Sequence, residues 1–172
     1  MKNLIVSILF FLVPFVNPAQ SSQVEKLFDK YSGQEGYTSV HITKYMFDMF
    51  AKIADEEEDK SFKEVTSNLT AIKIITVDNQ YTNRTEDFYA EISRVISAPI
   101  YQDLMIVKDG SEEIKFLVKD ANNTISELVM IVSEEGGGTM ISLLGNINLK
   151  DISKLSKTMN IKGFEHLDKV ED

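Results

Sequence analysis

Residues 100–145 read IYQDLMIVKDGSEEIKFLVKDANNTISELVMIVSEEGGGTMISLLG, and this stretch decides the fold. Four apolar runs, over 100–108, 112–119, 124–133 and 138–145, are separated by Asp109-Gly110, Ala121-Asn122-Asn123 and Gly136-Gly137-Gly138. Glycine and asparagine tolerate the backbone angles of tight hairpins, so the runs predict an antiparallel meander of four strands. Ile114, Phe116 and Val118 alternate with Lys115 and Lys119, which gives one strand a core face and a wet face. Leu128-Val129-Met130-Ile131-Val132 has no such alternation and reads as a central strand covered on both sides.

Upstream, the pattern changes from period 2 to a mixture. Residues 22–31 predict a short helix with Val24, Leu27 and Phe28 on one face, broken at Gly33 and Gly36. Tyr37 to Thr43 reads as a strand with Val40 and Ile42 on one side and Ser39, His41 and Thr43 on the other. A helix over 45–54 follows, in which Met46, Met49, Phe50 and Ile53 form the expected buried stripe. Tyr45 and Phe47 fall on its flanks, more apolar surface than burial on a sheet alone requires, and are the candidate partner-surface residues. The acidic run 55–59 and a short helix over 61–68 lead to a β-branched strand at 71–77. A helix over 86–97 is expected next, capped by Thr85 and stopped before Pro99, with Phe88, Ile92, Val95 and Ile96 on its apolar face. A last helix begins near Leu149 with Asn148 as its cap, and the tail after about residue 163 is expected to fray. The whole predicts an α+β domain: a mixed, mainly antiparallel sheet of about six strands, with helices mainly on one face.

The first nineteen residues follow a different logic. Lys2 precedes an apolar run from Leu4 to Val13, and Pro14 and Pro18 close it before Ala19-Gln20. A positive start, a short apolar centre and a small-residue exit are the layout of a secretory signal, with cleavage expected between Ala19 and Gln20. The run is too short to span a membrane, which takes about 20 apolar residues. On this reading residues 1–19 are a signal peptide and 20–172 a single domain, long enough for a real core. The chain holds no cysteine, which excludes disulfides, thiolate metal sites, thiol catalysis and a diacylglyceryl anchor. Its net charge of −9 repels phosphate backbones and makes nucleic acid an unsuitable partner.

No catalytic constellation stands out. The carboxylates of 55–59 lack the alternating ligands and central glycine of a calcium loop, so they read as a solvated connector. Gly136-Gly137-Gly138 is preceded by Glu134-Glu135 and followed by a strand, which suits a hairpin and not a phosphate cradle. His41 lies mid-strand and would act as a base only if its face were a cleft; His166 falls in the tail. Glycosidase-type carboxylate pairs leave no sequence motif, but sugar clefts are usually rich in tryptophan and this chain has none. The sequence therefore assigns no catalytic, cofactor-binding or metal-binding residue.

Val24-Glu25-Lys26-Leu27-Phe28-Asp29-Lys30-Tyr31, the segment Thr38–Phe47, the hairpin Val107-Lys108-Asp109-Gly110 and the ending Leu149–Ser153 carry a resemblance. In their order along the chain they resemble a family of exported Bacteroidota proteins known as domain of unknown function 4252. The resemblance implies a bacterial envelope protein, periplasmic or at the cell surface, and brings no catalytic residue with it. The expected function is an exported, non-catalytic binding or interaction module, soluble and not lipid-anchored, whose partner is an envelope protein or a small ligand. The alternatives are an envelope glycan or peptide hydrolase using His41 or scattered carboxylates, and a periplasmic lipid carrier, which needs a large apolar cavity.

Overall fold

In the computed structural model the described residues are 22–53, 63, 66–77, 82–97, 99–121, 124–135 and 137–148. The signal segment with Ala19 and Gln20, the acidic run 55–59, half of the helix expected at 61–68, the final helix and the tail all lie outside them. The elements in order are α1 (Gln23–Tyr31), β1 (Tyr37–Thr43), α2 (Lys44–Ile53), β2 (Leu69–Val77), α3 (Thr82–Ile96), β3 (Gln102–Asp109), β4 (Glu112–Ala121), β5 (Thr124–Glu134) and β6 (Gly137–Ile147). The third helix starts before the expected Thr85 cap, since no glycine or proline between 82 and 85 stops it from doing so.

The six strands form one sheet in the order β1-β2-β6-β5-β4-β3. The sequence pattern predicts a mixed sheet, yet every one of the five pairings is antiparallel. The reason is positional. β2 and β3 run in the same direction, but the crossover through α3 carries β3 to the far edge, so the two never pair. The strands β3, β4, β5 and β6 pair each with the next, and β6 then returns to lie against β2.

Both faces of the sheet are buried. All five residues of the run 128–132 are buried, because their side chains alternate between two apolar layers. Leu128, Met130 and Val132 join Ile72, Phe116 and Leu143 on one face, to which α2 contributes Phe47. Val129 and Ile131 join Ile75, Leu117 and Met140 on the other, under Val24, Leu27 and Phe28 of α1 and Phe88 and Ile92 of α3. Each fully buried side chain of this size stabilises the fold by about 1.5–3 kcal/mol, so the centre of the sheet holds the largest share of the driving force.

Two glycines permit close approaches that fix the sheet. At Gly138 an added Cβ would lie 1.7 Å from the Tyr89 hydroxyl, so only glycine admits the α3 tyrosine over β6. The Tyr89 hydroxyl points at the carbonyl oxygens of Val132, at 2.7 Å, and Gly137, at 2.8 Å, tying α3 across the β5–β6 hairpin. The triple glycine, expected as a turn alone, is thus also a packing site. Gly145, at φ +150°, passes so near the backbone of Asn68 and Leu69 that a side chain has no room. That approach coincides with the register shift between Leu69 and Ala71 and with a hydrogen bond from the Asn146 amide to the Asn68 carbonyl at 2.9 Å.

Candidate functional site

Among the described residues, four of the seven exposed large apolar side chains lie on the helix α2. It starts at Lys44 directly after the last residue of β1, so the strand's exit fixes the rotation of the helix. That rotation turns Phe47 into the core, where it is only 4% exposed. Phe47 is therefore corrected from a partner-surface candidate to a core residue. The expected buried stripe is corrected in the same way: Met46, Met49 and Phe50 are 38%, 41% and 42% exposed. At about 100° per residue these three share one flank of α2. Lys44, Asp48 and Lys52 occupy the other, with Lys44 and Asp48 paired at 2.7 Å. Tyr45 is 78% exposed, as a surface residue must be. Periodicity finds the widest apolar arc of the helix, but the sheet engages Phe47, which lies beside that arc.

A buried polar cluster lies beneath α1. Ser22 caps the helix by accepting the Glu25 amide at 2.9 Å, and its hydroxyl donates to Glu127 at 3.2 Å. Glu127 is 1% exposed and also accepts from Ser142 at 2.8 Å and Tyr101 at 3.0 Å. Burial first, and the Glu127 charge second, push the Tyr101 hydroxyl well above its ordinary pKa. Beside this group Lys73, itself buried, pairs with Glu25 at 2.6 Å and lies 5.1 Å over the Phe28 ring. The hydrogen bond from Lys73 holds the Glu25 carboxyl below its ordinary value despite some burial. Motif and periodicity do not single out this cluster. The signal that could have found it is the interruption of two apolar strands by Lys73 and Glu127, buried polar positions that demand partners.

His41 faces Lys73 across the β1–β2 register and is exposed, with its ring edge-on to Phe28 at 5.9 Å between centroids. Among the described residues it makes no hydrogen bond to a carboxylate, and nothing encloses it in a cleft. A recess of about 680 Å³ opens instead between α1 and α3, lined by Lys30, Tyr31, Gln34, Tyr37, Glu91 and Arg94 among others. Here Tyr31 donates to Glu91 at 2.6 Å, Lys30 pairs with the same oxygen, and Tyr31 stacks on Tyr37 at 4.6 Å. Lys30 and then Tyr31 hold the Glu91 carboxyl below its ordinary pKa, while burial and Glu91 push the Tyr31 hydroxyl up. A carboxylate held ionised in this way is a poor proton donor near neutrality. The recess is charged and tyrosine-lined, unlike the apolar cavity a lipid carrier needs. Among the described residues no cluster of three or more histidine, aspartate or glutamate side chains is placed to hold a metal ion. Nor is any described helix long and apolar enough to cross a membrane.

The family model for the domain of unknown function DUF4252 matches residues 31–155, from the last residue of α1 through every strand of the sheet. The chain belongs to this family. No curated protein and no solved structure matches it. The DUF4252 match thus takes in the whole sheet, α2 and α3 but, of α1, only Tyr31, and it assigns a role to none of them.

Proposed function

We propose that this chain is an exported, non-catalytic interaction module of the bacterial envelope, and that α2 with the end of β1 forms its contact surface. The observation that carries the reading is the exposed apolar flank of α2, with Tyr45 at 78% and Met46, Met49 and Phe50 near 40% exposed. Methionine and aromatic side chains grouped this way adapt to a partner and are seldom left in water without one. The layout of residues 1–19 supports export, and the absence of cysteine accords with a released protein. The polar groups of the α1 cluster and the recess satisfy one another, which suits structural roles.

The test compares Tyr45→Asp with the parent protein as bait for an envelope fraction. Captured proteins are identified by mass spectrometry and rebound in purified form. The reading requires at least one purified partner that binds the parent and loses at least tenfold in affinity with Tyr45→Asp. The same set recovered with equal affinity by both baits overturns it. Phe47→Asp serves only as a folding control, because its side chain is in the core. Terminal sequencing of the exported protein checks the other half: the reading expects it to begin at Gln20.

A further inference from the structure

The two edges of the sheet are built differently. Natural sheets guard exposed edges with charges, lysine above all, with bulges and with proline, because an open edge templates pairing with another strand. The β3 edge is guarded. It carries Asp103, Lys108 and Asp109, its register with β4 shifts between Asp103 and Met105, and Lys108 is tied to Glu113 at 2.8 Å. The β1 edge is not. Tyr37-Thr38-Ser39-Val40-His41-Ile42-Thr43 contains no lysine, arginine, aspartate, glutamate or proline. It pairs with β2 over all seven residues without a register shift, so it is a regular strand to its ends. Among the described residues no strand occupies its outer side. Val40, at its midpoint, leaves 41% of its surface in water.

We infer that the outer edge of β1 pairs with the same edge of a second copy, in antiparallel register about Val40, joining two sheets into one. This rests on the reading of the β1–α2 corner as the contact surface and names its partner. Centring the twofold axis on Val40 is the one register that pairs all seven residues. It sets Val40 against Val40, Ser39 against His41, Thr38 against Ile42 and Tyr37 against Thr43. No ionised carboxylate, lysine or arginine meets its like, and the exposed apolar residue at the centre meets its equal. Past the strand ends, Lys44 of each copy, paired with Asp48 of its own helix, comes toward the Gly36 end of the other, on the side of Glu35, so the charges at both ends of the seam are of opposite sign. Each copy also brings the exposed first turn of its α2, with Tyr45, to the margin of the seam. A seven-residue strand pair is small beside the roughly 1,200 Å² of a stable interface, and these helix side chains supply further area.

The absence of native cysteine makes the register directly testable. Residues directly opposite on antiparallel strands have Cα atoms about 4.5–5.5 Å apart, within the range a disulfide bridges. Under mild oxidation the 20–172 protein carrying Val40→Cys is expected to cross-link to a dimer. Ser39→Cys and His41→Cys are each expected to pair without cross-linking alone and to cross-link when mixed. Sedimentation equilibrium of the parent protein is expected to show a doubled mass that falls to that of one copy with Val40→Lys, at unchanged circular dichroism. A parent protein that is a single copy up to several hundred micromolar overturns the inference. So does a dimer in which the three cysteine variants cross-link indifferently. If the parent is monomeric while Tyr45→Asp still abolishes binding of a purified envelope protein, the self-pairing is wrong and the interaction reading stands. If no Tyr45-dependent partner exists and the parent is monomeric, both are wrong.

Discussion

Replacing Gly138 by alanine inserts one methyl group 1.7 Å from the Tyr89 hydroxyl and 2.4 Å from its Cζ. Neither distance is tolerable, and the β6 backbone is held by strands on both sides, so the tyrosine must leave. Its departure loses the hydroxyl's contacts with the Val132 and Gly137 carbonyls, about 1 kcal/mol net, and the packing of a partly buried ring, about 1.5–2 kcal/mol. Gly138→Ala is therefore expected to destabilise by about 2–3 kcal/mol, and Tyr89→Ala by a similar amount through the same loss. The two costs are one cost counted from either side. With Tyr89 already alanine, the three atoms nearest the added methyl are gone, none other lies within 3.1 Å, and its backbone is free of the positive φ that would penalise it. Relative to Tyr89→Ala, the double variant then gains roughly 0.4–1 kcal/mol from the lower entropy of the unfolded chain. Urea titration of all four proteins, followed by circular dichroism, gives the coupling directly. The expected coupling, the cost of Gly138→Ala alone plus its gain in the Tyr89→Ala background, is about 2.4–4 kcal/mol in favour of the double variant. Additive costs, with the double variant near about 5 kcal/mol, would refute the idea that the glycine exists to admit the tyrosine.

The Glu127 cluster predicts an ordering of variants. Glu127→Leu removes the acceptor from three hydroxyl donors in a buried site and is expected to cost about 3 kcal/mol or more, whereas Glu127→Gln, which keeps one acceptor, costs less. A leucine variant as stable as the parent in urea would show the cluster to be dispensable. Stability should also fall in acid. Glu25, Glu91 and Glu113 all have folded-state pKa values held below the ordinary 4.5, by Lys73, by Lys30 with Tyr31, and by Lys108 with Lys115. A depressed carboxylate contributes stability that is present above its unfolded value and is lost as pH falls through the folded one. Melting temperature is thus expected to decline below about pH 4.5, less steeply in Glu25→Gln; an unchanged slope in that variant would remove Glu25 from the account.

How much of the molecule is legible in the sequence depends on what kind of pattern each feature leaves. The strands announce themselves because Leu128–Val132 is apolar at every position and Ile114–Val118 alternates, and both patterns are local. Strand direction is not local. Whether β2 and β3 become a parallel pair depends on where a crossover lands, and a strand–helix–strand passage by itself suggests a parallel pair within a mixed sheet. The rotation of α2 is hidden for a related reason. An apolar arc of Met46, Met49 and Phe50 is chemically a better core face than Phe47, but the strand that ends at Thr43 sets the phase. Lys73 and Glu127 are visible as letters yet mute as partners, since Ser22, Tyr101 and Ser142 come from three separate parts of the chain.

The β2–β6 seam has a consequence for how the molecule is made. Thr76 and Thr139 touch across it, 63 positions apart, and β6 is the last strand of the sheet to leave the ribosome or a membrane pore. Until it arrives, β2 has a partner on one side only, and the strands flanking β6 have no bridge between them. The sheet consequently closes in a single late event that depends on a long-range pairing, the slow kind. A chain threaded from its amino end through a secretion channel would stay open for the whole passage and lock when the β5–β6 hairpin emerges. A product truncated before Gly137 would be left with β2 and β5 as two unsatisfied edges.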